Sequence, residues 1–465
     1  MKSKKIHIIS LGCPKNLVDS EVMAALLTKN NYHITPQADE ADIILINTCA
    51  FILPAKEESI DEILRMAEWK KRGNGPCTHM VVTGCLPQRY GKELEKELPE
   101  VDLFLGVGEV PNIVRHLDGL ILKKPKGKRS VISKPSFLMD ASYPRLIPTP
   151  FYTAYLKIAD GCSNRCSYCV IPTIRGKARS RMPDDILAEA QMLAASGVKE
   201  LIITAQDTTA YGRDLKTKPT HSYLLTELAS IQGIKWIRLL YTHPARLTDD
   251  ILMAIANEEV ICNYIDIPIQ HIDDTILKAM NRRGGSSVIR KILQKTRNII
   301  PGVALRTSII VGFPGETQRR FNALLSFVKE IRFDHLGAFL YSREEGTKAA
   351  AYPSRISERE KEARKQLLME EQAVISAEIN RSLIGSTQEV LIEGKSDVPG
   401  YPYLGRSRRQ APDIDGITYI QGDNLVQGDI IPCRIITADD YDLFAETTSM
   451  KGGAARTGRQ PHFTE

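Results

Sequence analysis

From Lys5 to about Leu120, short apolar runs alternate with amphipathic stretches. KIHIISLG (5–12), ADIILIN (41–47), HMVVTG (79–84) and VDLFLG (101–106) predict buried strands, because they are dense in Ile, Val and Leu and bounded by Gly or Asn. Between them NLVDSEVMAALLTKN (16–30), AKEESIDEILRMAEWKKR (55–72) and PQRYGKELEKELP (87–99) carry helical periodicity. Strand and helix in alternation predict a doubly wound parallel sheet.

A second αβ rhythm opens at Phe151. Its strands are AYLKIA (154–159), ELIITAQD (200–207), WIRLLYTH (236–243), NYIDIPIQ (263–270), VALRTSIIVG (303–312) and HLGAFLYS (335–342), separated by helical patterns such as DDILAEAQMLAAS and VIRKILQKTRNI. Six units fall short of the usual eight, so they predict a partial (β/α)6 barrel, open at the side, with its site over the strand C-termini. A charged helix (357–382) leads to STQEVLIEG, YPYLGRS, ITYIQG and GDIIPCRIITADDYDLFAE, whose strands and Gly-Asp turns predict a small OB-like β-barrel. The fold class is therefore α/β with a terminal barrel. We expect an N-terminal domain over 1–120, a basic, proline-rich surface linker with a short strand pair over 121–147, a core over 148–378, the barrel over 380–448 and a disordered tail over 449–465.

Composition changes this picture little. Hydrophobic residues make up 43% and charged residues 25%, as in globular proteins, and a net charge of +6 over 465 residues by itself points to no nucleic-acid or membrane partner. The start, MKSKKIHIISLGC, imitates a lipoprotein signal, but its apolar run is too short for export. With no long apolar segment, the sequence reads as cytoplasmic, with no membrane association.

Nine cysteines, an odd number in such a chain, point to metal or catalysis rather than disulfides. Cys13, Cys49 and Cys85 each follow a predicted strand of the first sheet. Parallel strands end on one edge, where open α/β sheets form their sites, so three thiols converge on one rim as a candidate metal site. Cys77, in the turn GNGPC, lacks this placement and reads as incidental, and Cys262 and Cys433 read as packing. A second triad, Cys162, Cys166 and Cys169, lies in IADGCSNRCSYCVIP after the first strand of the second sheet. Zinc is the alternative there, but a structural zinc site takes four ligands, commonly in separated pairs, and this triad has no histidine near it. Three thiolates so spaced suit three irons of a four-iron cluster and leave the fourth iron open. His243, Gln270 and His271 lie at strand ends facing this site, where a structural role is the commoner one, and Asp160 reads as a loop cap or a site acid.

The triad, with Tyr168 just before its third cysteine, resembles the radical S-adenosylmethionine (SAM) enzymes. The resemblance implies that the open iron chelates SAM, and that an injected electron splits the sulfonium to give a 5′-deoxyadenosyl radical. It also implies that Gln206 and Asp207 in TAQD take the methionine ammonium, and that Arg306 and Thr307 open the adenine-binding strand TSIIVGFPGE. More narrowly, SLGCPKNLVDSE, INTCAF, VVTGCLPQRY and DGCSNRCSYCVIPTIRGKARSR, followed by a TRAM-type barrel, resemble the radical SAM methylthiotransferases from about residue 5 to 447. That resemblance implies two 4Fe-4S clusters, the auxiliary one on Cys13, Cys49 and Cys85, together with SAM and a low-potential electron donor. GCPKNLVDSE looks like the RimO-type branch, which modifies the β-carbon of an aspartate in the small-subunit ribosomal protein at the decoding centre, free or within the ribosome; the other branch modifies an adenosine of tRNA. Residues 382–447 hold eleven acids and five bases, a net −6 that suits a basic ribosomal protein better than RNA.

Overall fold

The computed structural model describes residues 3–71, 76–122, 129–147, 150–353 and 356–448. Its first sheet has six parallel strands, β1 (Lys4–Ser10), β2 (Tyr32–Ile34), β3 (Ile43–Thr48), β4 (His79–Gly84), β5 (Leu103–Leu105) and β6 (Ser130–Val131), in the order β2-β1-β3-β4-β5-β6. Helices α1 (Pro14–Lys29), α2 (Leu53–Lys71), α3 (Cys85–Glu97) and α4 (Ile113–Leu122) cover it. Every residue of β3 is buried: Ile44 and Ile46 pack with Ile63, Met66 and Leu94, whereas Ile43 and Leu45 pack on the opposite face with Val18, Val22 and Leu117. The unbroken apolar run in IILINT thus reflects two covered faces. Strand order reverses between β1 and β3, and the crevice at that reversal lies beside Cys13 and Cys49.

In the second sheet β7 (Thr153–Lys157) is followed by the two-residue pair β8 (Ala159–Asp160) and β9 (Arg179–Ser180), then by β10 (Glu200–Thr204), β11 (Trp236–Leu239), β12 (Ile261–Asp266), β13 (Ala304–Val311) and β14 (His335–Leu340). The six long strands pair in parallel in the order β14-β13-β12-β11-β10-β7, the expected open set of six units. The intervening helices are α5 (Ile171–Ile174), α6 (Pro183–Ala195), α7 (His221–Ala229), α8 (Asp249–Asn257), α9 (Asp274–Ala279), α10 (Gly285–Ile299) and α11 (Gln318–Ile331).

Beyond α12 (Glu358–Ser382), strands β15 (Thr387–Lys395), β16 (Tyr403–Ser407), β17 (Thr418–Gln421), β18 (Ile430–Ala438) and β19 (Leu443–Thr447) form a closed barrel around Val390, Ile392, Ile420, Cys433 and Ile435. Closure pairs β15 with β18 and leaves no strand edge exposed. The chain divides into two compact units, Met1–Ser376 and Ala377–Glu465, and both wound sheets belong to the first. The tail, 449–465, and the linker residues 123–128 lie outside the described residues.

Charge joins the two sheets alongside apolar contact, in which Val170 and Ile174 pack into the core of Ile46 and Leu86 and Tyr155 packs against that of Val18 and Val22. Helix α1 buries Lys15, Asn16, Asp19, Ser20 and Glu21 as well as its apolar face. Asp19 pairs with Lys157 of β7 and, at 2.7 Å, with Arg175; Asp160 lies 3.1 Å from Arg175 and 3.5 Å from Lys157. Two acids and two bases close this quartet. Beside it Arg145 pairs with Glu21 and, at 2.5 Å, with Glu189, and Glu344 takes Lys56 at 2.9 Å and Arg89 at 2.7 Å. Arg145 corrects the reading of 121–147 as a surface linker: its side chain is buried between the sheets, Met139 is buried too, and in place of a strand pair β6 adds in parallel to β5.

A buried ion network contributes little net stability but is costly to break, since one lost partner strands a charge in a low-dielectric interior. Lys157→Met leaves the quartet one positive charge short and is expected to lower stability by about 3–5 kcal/mol, read as a fall in the urea midpoint. Adding Asp19→Asn to Lys157→Met should restore part of the loss; strictly additive losses would show that the four charges do not act together.

Candidate active site

The N-terminal triad is assembled by three strand ends and two glycines. Gly12 (φ +87°) and Gly84 (φ +101°) precede Cys13 and Cys85, and both press on the chain at Cys49. A Cβ on Gly12 would lie 2.6 Å from the Cys49 Cβ, and one on Gly84 would lie 2.6 Å from the Thr48 carbonyl oxygen. Only glycine fits either the backbone angle or the space. Asn16, fully buried, ties the three loops together: its Nδ2 donates to the Leu11 carbonyl at 3.1 Å and to the Thr48 carbonyl at 2.9 Å, while its Oδ1 stands 3.7 Å from the Cys85 Sγ. Arg175 comes from the second sheet, donating to Asn16 Oδ1 and, at 3.8 Å, to the Cys85 Sγ.

The three thiols act on one another electrostatically. Burial raises the Cys49 thiol, with the Cys13 charge adding to it, and burial pushes Cys85 up to about 12 against the pull of Arg175. Burial opposes ionisation at Cys13 as well, but Lys15, Arg175 and the amides of Asn16 and Lys15 outweigh it and the net shift is downward.

In the second triad Gly161 (φ +77°) allows a close pass under the Lys177 carbonyl, and the Cys162 amide donates to the Gly176 carbonyl at 3.0 Å. Ser167 fixes the loop to the end of α9 through the Ala279 carbonyl at 2.7 Å and the Met280 carbonyl at 3.0 Å. Burial pushes the Cys169 thiol up to about 12, and burial with the Asp207 charge raises Cys162. Tyr168 packs beside Phe313 and Tyr341, and burial, then the neighbouring Cys166, drive its hydroxyl well above its usual range.

A cavity of about 340 Å³ opens against this triad, lined by Cys162, Cys166, Asn164, Asp207, His243 and Arg246 among others. Asp207 faces it with both oxygens engaged, by Thr209 at 2.6 Å, Asn164 at 2.7 Å and Arg246 at 2.6 Å. Gln206 donates to Asp160 at 2.9 Å, and its buried Oε1 has no partner. His243 lines the cavity and also caps the turn Pro244–Arg246; burial, reinforced by Arg282 and Arg246, pushes its ring down to about 2, so it is neutral. Arg306 pairs with Asp266 at 3.0 Å, and the Thr307 hydroxyl donates to the Ile267 carbonyl at 2.8 Å; neither lines the cavity. His271 accepts from the Asp273 amide at 2.9 Å, and Gln270 adopts a left-handed φ of 72° beside β13.

Sequence reasoning named the six cysteines, Gln206 and Asp207 but missed Lys15, Asn16, Arg175 and Tyr241. Lys15 lies over the Tyr241 ring at 3.6 Å, so the loop bearing Cys13 touches the C-terminal end of β11. The signal was present in part: Lys157 and Asp160 interrupt an apolar strand run, where a charge needs a buried partner.

Among the described residues, no group of three or more His, Cys, Asp or Glu is gathered as for a single metal ion. A cluster of several irons takes one thiolate per iron and so asks for wider spacing. Asn16→Ala removes the tie between the loops. It is expected to lower iron bound after reconstitution from about eight to about four per chain, with the four-iron signal of the second triad retained; unchanged iron would show that the backbone alone holds the first triad.

Family models match three stretches: residues 5–106 match the Uncharacterized protein family UPF0004, residues 156–328 the Radical SAM superfamily, and residues 384–448 the TRAM domain. The chain is 62% identical over 452 residues to the ribosomal protein uS12 methylthiotransferase RimO of Syntrophus aciditrophicus (strain SB), covering 97% of this chain and 99% of that protein. It is 52% identical to the protein of the same name from Geobacter sulfurreducens, over 96% of this chain and 99% of that one. Among solved structures it is similar in fold to the radical S-adenosylmethionine methyltransferase TsrM from Kitasatospora setae, with a TM-score of 0.52 at 14% identity over 83% of this chain and 80% of that chain. The cobalamin-dependent radical enzyme OxsB gives 0.51 at 13% identity, over 79% and 56%. With two thiol triads on one wound unit, a terminal barrel, and relatives matched over nearly their whole length, the chain belongs to the RimO family of ribosomal protein uS12 methylthiotransferases, within the radical SAM superfamily.

Proposed function

We propose that this chain transfers a methylthio group to the β-carbon of an aspartate in ribosomal protein uS12, with Cys162, Cys166 and Cys169 holding one 4Fe-4S cluster and Cys13, Cys49 and Cys85 a second. The observation that carries the reading is the seam itself: Arg175 reaches the Cys85 sulfur from the loop that follows Cys169, so the two all-thiol sets belong to one machine. Bound there, the clusters and SAM supply the reductive sulfonium cleavage that yields a hydrogen-abstracting radical, and the sulfur that is inserted.

The chain's own residues bind and orient. Asp207 is held on the cavity wall by Arg246 and Asn164, and the unpartnered Gln206 Oε1 offers an acceptor beside it; both suit the ammonium of SAM. Tyr168 fixes the loop between Cys166 and Cys169 by packing against the buried cluster of Ile276, Met280, Phe313, Tyr341 and Ala349. Arg306 and Thr307 act on the adenine side by setting strand β13 against Asp266 and Ile267. Cys49, Cys85 and Cys162 are buried while Cys13, Cys166 and Cys169 are partly open, and His243, neutral beside three arginines, adds no charge to the chamber.

The net −6 of residues 382–447 favours a basic protein substrate over tRNA. Work in the cytoplasm, with a low-potential electron donor and uS12 met free or within the ribosome, fits nine free thiols; among the described residues no helix is long and apolar enough to cross a membrane.

Anaerobic incubation of the reconstituted enzyme with SAM, a reductant, and uS12 or tRNA is expected to add a methylthio group to uS12 alone by mass spectrometry; addition to tRNA alone would overturn the assignment. Replacing Cys162, Cys166 and Cys169 together by alanine should abolish 5′-deoxyadenosine formation. Replacing Cys13, Cys49 and Cys85 should leave that formation measurable and stop sulfur insertion. Equal loss of cleavage in both variants would contradict the division between the triads.

A further inference from the structure

Lys15 is 6% exposed, and its ammonium rests 3.6 Å from the centre of the Tyr241 ring. Among the described residues no carboxylate forms an ion pair with it. The acids around the seam are already matched: Asp19 and Asp160 by Lys157 and Arg175, Asp207 by Arg246, and Asp266 by Arg306. Lys15 therefore meets no carboxylate in a nearly closed interior, and the anion beside it is the Cys13 thiolate, whose ionisation it favours. An aromatic face offsets only part of the cost of stripping water from an ammonium. The Cys13 sulfur, two residues away, is committed to the metal site. An anion that arrives with the substrate completes the balance.

The placement suits such a ligand. Tyr241 holds a left-handed φ of 58°, rare for a residue with a bulky side chain, and is pinned there by its amide to Asp266 at 2.9 Å and by the Thr208 amide to its carbonyl at 3.1 Å. Thr208 adjoins Asp207, which lines the cavity with Cys162 and Cys166. Lys15 thus stands between the loop of Cys13 and the residues that border the second triad.

We propose that Lys15, seated on Tyr241, is the subsite for the side-chain carboxylate of the substrate aspartate, an inference that rests on the uS12 reading above. The carboxylate is unchanged by the reaction and adjoins the carbon that is modified. An ammonium at that carboxylate fixes the position of the β-carbon and rejects a neutral amide in its place.

The test compares binding of purified uS12, and of uS12 whose modified aspartate is replaced by asparagine, to the reconstituted enzyme. The wild type is expected to bind the asparagine form about tenfold more weakly or worse. Lys15→Met should bind both forms within about threefold of each other, and Lys15→Arg should keep the tenfold preference. Each ratio is taken within one variant, so incomplete folding or iron loading cancels. A tenfold preference retained by Lys15→Met, no preference in the wild type, or loss of both forms by Lys15→Met at unchanged iron content would each overturn the subsite. Wild-type enzyme that methylthiolates uS12 while any of these holds sinks the subsite alone; failure to modify uS12 at all sinks the reading beneath it.

Discussion

Four buried charges hold the two halves of the first unit in register. Asp19 on α1 follows Cys13, Asp160 precedes Cys162, and Arg175 follows Cys169, so the quartet they form with Lys157 is flanked on both sides by cysteines of the two triads. An apolar seam of the same area would be more stabilising, yet it would allow neighbouring registers of similar energy. A closed set of two acids and two bases has one arrangement that leaves no charge unmatched. For a reaction that needs two inorganic centres to face one substrate atom, that uniqueness outweighs the desolvation cost, and Arg175 extends it to the Cys85 sulfur and Asn16.

Topology supplies the rest of the convergence. Both sheets are parallel, so every strand delivers its following loop to one edge, and each triad grows from such an edge. The cysteines need only follow strands β1, β3 and β4 to meet. The glycines Gly12 and Gly84 then bring the loops closer than any side chain would allow. In the second sheet one long loop after β7 carries all three thiols and leans on the end of α9 through Ser167, so convergence there is local. One site comes from tertiary architecture, the other from a single loop.

That difference explains what could be read in advance. The loop triad is legible because its spacing is in the sequence, and the nine longer strands of the two sheets are legible because apolar runs of that length have few alternatives. β2, with three residues, and α4, which follows a short strand, carry too little pattern to register. Lys15 and Arg175 escaped for another reason: their partners lie on the other half of the unit, far along the chain, while Asn16 ties loops of its own sheet from a polar helical face that is ordinarily solvated. Arg145, within a stretch rich in proline and lysine, looked like linker, although its guanidinium is buried between Glu21 and Glu189. Polar residues buried for register follow no period, so only the folded chain reveals them.

Electrostatics of opposite sign then act at different ranges. The terminal barrel carries a net −6, a field that favours a basic protein at distance and weakens as salt rises. Inside the seam the charge that no carboxylate matches is positive, on Lys15, where screening is slight because the ammonium is almost wholly buried. A basic protein that presents a single acidic side chain satisfies both conditions, while a polyanion such as tRNA meets the first with repulsion. Selection of the macromolecule and selection of the side chain therefore need not share any residue, and a chamber built from buried charge can be exacting about one carboxylate while the outer surface is permissive about sequence.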